Sequence, residues 1–131
     1  MKITNNQKGQ SLIEVIAALA IVILVITALA VVVTLSIANA KFSQNQVLAS
    51  KYSQEVMEKL RSYRDQYTWE EFTENCDGGY LPALSGPWTR TITCTVIDVD
   101  IRKVVVKVGW TDAKGRVHES RLETNFTNWK E

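Results

Sequence analysis

From Val15 to Ala40 the chain has no charged side chain. As a helix, this uncharged stretch would run about 39 Å at ~1.5 Å per residue. Its large apolar residues (Val15, Ile16, Leu19, Ile21 to Ile26, Leu29, Val31 to Val33, with Thr27 following) fall on every side of such a helix. A helix of that kind needs an apolar environment around its whole girth, and a bilayer core is ~30 Å thick. After Ala40 the pattern changes. Ala38, Phe42, Ala49, Tyr52, Val56, Leu60, Tyr63 and Tyr67 recur at three-, four- and seven-residue intervals, which draws an amphipathic stripe. Lys51, Gln54, Glu55, Glu58, Lys59, Arg61, Arg64 and Asp65 take the opposite, solvated side. No glycine or proline interrupts Gln10 to Tyr67, so a single helix of some 55 residues is predicted.

Beyond Tyr67 the period shifts again. Asn75-Cys76-Asp77-Gly78-Gly79, Leu81-Pro82 and Gly86-Pro87 mark an irregular connection. Trp88 to Val96, Arg102 to Trp110 and Val117 to Phe126 then alternate apolar and polar residues, separated by Asp98-Val99-Asp100 and by Thr111 to Arg116. That pattern predicts an antiparallel sheet with one covered face, and the helical stripe is its natural cover. The expected class is α+β: one long N-terminal helix, its first half transmembrane, packed on a small antiparallel sheet of three or more strands. Trp88, Trp110 and Trp129 are expected in the core or at its rim, and His118 on a strand surface.

The chain has 131 residues. Setting aside the apolar half leaves roughly 90, enough for one small domain with a modest core. Net charge is +1, which indicates no strong surface for nucleic acid or anionic lipid. The two cysteines, Cys76 and Cys94, either bridge or stand as independent thiols. An extracytoplasmic compartment permits a bridge, and closing that loop is worth ~3 kcal/mol in the chain-entropy model. There is one histidine and no Cys/His cluster, so no metal or other cofactor is expected. The acids of the Gly78-Gly79 loop are too scattered for a calcium site. No nucleophile, base and orienting group come together in the sequence, so no enzyme activity is expected.

The N-terminus holds the most specific signal. Lys2 and Lys8 precede the apolar run with no acid between them, which favours a cytoplasmic N-terminus and an external remainder. Ala38-Asn39-Ala40 fits a secretion cleavage site, but a signal's apolar region is only ~7–15 residues long. Glu14 lies at the entrance of the run, where a carboxylate at membrane depth costs a few kcal/mol unless paired. In the first helical turn the dipole favours its charge, so the carboxylate could also simply rest at headgroup level beside its own terminus.

The string Lys8-Gly9-Gln10-Ser11-Leu12-Ile13-Glu14-Val15, followed by the apolar helix, resembles the cleavage and methylation motif of type IV pilins and type II secretion pseudopilins. The resemblance implies a leader at residues 1–9, cut by a prepilin peptidase between Gly9 and Gln10. Gln10 would become the mature, N-methylated terminus, and Glu14 would match the family's fifth-residue glutamate, which draws the terminal amine of a neighbouring subunit. The match departs at Gln10, where phenylalanine is usual, and in the absence of proline from the membrane helix. It further implies residues 10–40 as the transmembrane and filament-core half and 41–131 as the head: helix 41–67, loop 68–87, sheet 88–131. Tyr52 to Trp69 also resembles the post-membrane helix of small minor pilin-like proteins. The implied partners are the peptidase, other pilins or pseudopilins, their assembly platform and inner-membrane lipid. The chain would wait as a single-pass inner-membrane protein and then enter a surface or periplasmic filament. The rival readings are a membrane-anchored binding domain that never polymerises and a secreted domain released at Ala40.

Overall fold

A computed structural model describes residues 7–129, with side chains from 12 to 129. Helix α1 covers Gln7–Gln66 and a short helix α2 covers Trp69–Asn75. Three strands follow: β1 (Thr89–Asp98), β2 (Ile101–Thr111) and β3 (Val117–Thr127). They form one antiparallel sheet in the order β1-β2-β3, so the expected α+β class holds. The chain divides into two compact units, Met1–Lys41 and Phe42–Glu131.

The first unit is helical throughout its described residues. Its large apolar side chains lie open, from 52% exposure at Val22 to 71% at Ile13. Thr27 and Thr34 turn their hydroxyls back onto the helix. Thr27 donates to the Ile23 and Leu24 carbonyls at 2.9 Å, and Thr34 to Ala30 at 2.8 Å. Neither hydroxyl therefore needs water, as a segment at membrane depth requires.

The second unit has its own core. Central strand β2 buries Val104, Val106, Val108 and Trp110 on one face, the period-2 consequence of its alternating sequence. Ala49, Val56, Met57 and Leu60 of α1 cover that face, and Phe72, Cys76 and Phe126 complete the core. The other face of the sheet is polar, with Lys103–Glu123 at 3.2 Å and Lys107–Glu119 at 3.4 Å. Exposed pairs of this kind contribute little to stability.

The structure corrects the sequence reading in four places. The segment expected as loop 68–87 begins with helix α2, whose N-cap is Thr68. Glu71 N–H donates to Thr68 Oγ1 at 3.3 Å, and Thr68 N–H donates to Glu71 Oε2 at 3.0 Å. This capping box starts the helix and turns Phe72 inward. The stripe of α1 is also placed differently from the expectation. Ser53 and Met57 are buried, Tyr67 and Phe42 remain 44% exposed, and Ala38 belongs to the first unit. Burial forces Ser53 to bond its own helix, Oγ to Ala49 O at 3.0 Å. The third correction is His118, which is half-buried between aromatic rings rather than lying on a strand surface. Finally, Trp110 is core and Trp88 rim, but Trp129 is 60% exposed.

Candidate functional site

The residues expected to matter fall into both units. In the first, Gly9 and Gln10 lie within α1, but their side chains are outside the described residues, as is the leader over residues 1–6. Glu14 is exposed. Among the described residues no basic side chain pairs with it, and apolar side chains flank it at Ile13 and Val15. Beyond it the run presents apolar surface on all sides. Ala17, Ala18, Ala20, Ala28 and Ala30 interrupt the larger residues, and small residues let neighbouring helices approach closely. Chemically, this segment can dissolve in hydrocarbon or pack against like helices. The carboxylate at its start can pair with a cation.

In the second unit Cys76 and Cys94 are joined as a disulfide, with Cα atoms 5.9 Å apart. Cys76 caps the C-terminus of α2, and Cys94 stands on the helix-facing side of β1, opposite Val104. The bond ties the end of α2 to an edge strand. Arg90 reinforces it by donating from a guanidinium nitrogen to the Leu81 carbonyl at 3.0 Å. Gly78 takes a positive φ of 71° here, which a residue with a Cβ adopts at a cost.

A second constellation was not expected as a group. Trp110 and His118 pair directly across the β2–β3 hairpin. Their rings stack at 5.4 Å, and Phe42 of α1 packs on both, at 6.0 Å from Trp110 and 5.0 Å from His118. His118 Nε2 lies 3.0 Å from Asp112 Oδ2. An ionised carboxylate only accepts, so Nε2 carries the proton. Asp112 also accepts from Arg116 Nε at 2.9 Å and from the backbone N–H groups of Lys114 (2.8 Å) and Arg116 (2.9 Å). The His118 hydrogen bond foremost, then the Arg116 N–H, holds this carboxyl well below the usual carboxylate range. The signal was present in the sequence: Trp110 and His118 flank the predicted hairpin loop and so had to be neighbours. The group locks a turn and offers no nucleophile. Among the described residues no three His, Cys, Asp or Glu side chains gather as a metal site.

Comparison with known proteins bears on the N-terminus. Residues 4–38 match the family model described as the prokaryotic N-terminal methylation motif. No curated protein and no solved structure matches the chain. With that motif at the head of a helix long and apolar enough to cross a membrane, the chain carries a prepilin-type N-terminus on a pilin-like α+β fold.

Proposed function

We propose that the chain is a structural subunit, a minor pilin or pseudopilin, of a type IV pilus, type II secretion or competence-type filament. A prepilin peptidase removes residues 1–9 by cutting between Gly9 and Gln10, and Gln10 is N-methylated. The mature subunit holds residues 10–40 in the inner membrane, with residues 41–131 outside. It is then drawn into a filament through the apolar helix. Glu14 guides entry by pairing with the terminal amine of a neighbouring subunit. Its work is packing and display rather than catalysis.

The observation that carries this reading is the methylation motif at residues 4–38, continuous with an apolar helix whose large side chains from Leu12 to Ile37 all lie exposed. A cleaved secretion signal would discard that helix, and a plain anchor would leave the motif without a role. The N-terminal residue of the protein purified from membranes tests the proposal. Mass spectrometry should find a chain beginning at Gln10, with a methylated amine. A chain beginning at Met1 or at Lys41 would overturn it.

A further inference from the structure

The β2–β3 turn carries a second inference, which rests on the reading of residues 10–40 as a membrane span. Phe42 follows Ala40, the last residue of the uncharged run, by two positions. Within the second unit, Phe42 packs on both Trp110 and His118. They are the pair next to Thr111 and Val117, which close the Asp112–Arg116 turn. The turn is therefore held beside the residue at which the chain leaves the apolar run.

Its surface suits that position. Asp112 is the acid of the turn, and its carboxylate is directed inward onto His118, Arg116 and two backbone N–H groups. Lys114 is exposed and has no carboxylate partner among the described residues. Arg116 answers Asp112, and Glu119, the next acid along β3, pairs with Lys107. Outward charge is thus positive. Val117 stands beside it at 77% exposure, and Phe42 leaves 44% of its surface open. Basic and apolar groups together fit the boundary between lipid headgroups and acyl chains.

We propose that this turn is a foot that rests on the anionic headgroups of the outer leaflet while the subunit waits in the membrane. Lys114 contacts lipid phosphate, and Val117 and Phe42 enter the interface. Docking there fixes the head against the bilayer, and entry into a filament must release it.

The test is hydrogen exchange read by mass spectrometry on the full chain in nanodiscs. One set is phosphatidylcholine alone and the other is mixed with phosphatidylglycerol. One lysine at an anionic surface is worth about fivefold in a docking equilibrium. Exchange of the Thr111–Val117 amides should slow by about that factor in the anionic discs, and the β1–β2 hairpin at Asp98–Ile101 should not change. Lys114→Gln should erase the difference without altering the melting temperature. Raising the salt to ~1 M, where screening acts within ~3 Å, should erase it in the unmodified protein. Equal exchange in the two lipids, with the chain retained in both discs, would overturn the foot alone. A chain that does not stay in either disc would instead overturn the membrane span on which it rests.

Discussion

The Cys76–Cys94 bond should hold a large part of the stability of the second unit. Its sequence separation is 18 residues, and cross-linking a loop of that size removes about 3 kcal/mol of freedom from the unfolded chain. A domain of some 90 residues has roughly 5–13 kcal/mol in total, at ~0.05–0.15 kcal/mol per residue. Removing the bond with Cys76→Ala and Cys94→Ala together should therefore lower the melting temperature by about 12–24 °C, at ~4–8 °C per kcal/mol for a domain of this size. Packing adds to the loss, because Cys76 is itself part of the core beside Phe72. All four tryptophans (Trp69, Trp88, Trp110, Trp129) lie in this unit. Tryptophan fluorescence of the full chain in detergent micelles thus reads the unit's unfolding and ignores the apolar helix. Hydrogen exchange should rise first in α2 and residues 77–88. There the Arg90 bond to Leu81 and the packing of Leu81, Leu84 and Trp88 are left to hold the segment. A drop of less than about 4 °C, the equivalent of a single kcal/mol, would refute the argument that this loop depends on its cross-link.

Leu60→Ala removes a fully buried side chain at the centre of the helix–sheet contact and should cost about 2–5 kcal/mol, measured by urea titration of the same fluorescence. Asp112→Asn tests the hairpin turn. The native carboxyl is held below its ordinary range by His118 and backbone N–H groups, so its contribution is complete above that range and is lost as pH falls through and below it. The unmodified protein should lose stability on acidification below about pH 4, and the Asn variant should show a flatter profile. Equal slopes would refute this. Glu14→Ala should leave head stability unchanged while abolishing or sharply reducing incorporation into sheared filaments, scored by immunoblot of the filament and membrane fractions. Normal incorporation would remove Glu14 from the assembly step.

Long regular elements were the most legible part of the fold. Sixty residues without an internal proline, and with a single glycine near the start, could hardly read as anything but helix. The alternation of Val104, Val106, Val108 and Trp110 named the buried face of β2 outright. Helix α2 escaped because seven residues give too short a window for periodicity, and Phe72 is the only buried residue among them. The Thr68-x-x-Glu71 capping box was its one sequence signature. The stripe on α1 was drawn to Tyr67 because helical spacing cannot say where the covering sheet stops. Tyr67 stacks on Tyr63 at 4.3 Å instead of entering the core. His118 was misplaced because its burial depends on Phe42, 76 positions away, which no local pattern reports. As for the N-terminal site, the sequence carries nearly all of it. What the structure adds is the openness of the apolar side chains and the return of two threonine hydroxyls to the backbone.

That openness constrains how assembly could be driven. Seventeen large apolar side chains from Leu12 to Ile37 have more than half their surface open. At ~1.5–3 kcal/mol each, covering them is worth roughly 25–50 kcal/mol, several times the stability of the second unit. The segment must therefore always be in an apolar medium, whether lipid or neighbouring helices. Those two media are nearly equivalent for an aliphatic side chain, since acyl tails are as apolar as leucine. For a subunit that moved from lipid into a filament, the large hydrophobic term would largely cancel. On the proposed reading, direction must come from groups that the two environments treat differently. The one charged side chain along this run is Glu14, poorly accommodated by lipid and well accommodated by an amine. A Glu14→Gln subunit keeps the shape and loses that difference. It should remain in the membrane fraction as stably as the native chain and fail to leave it.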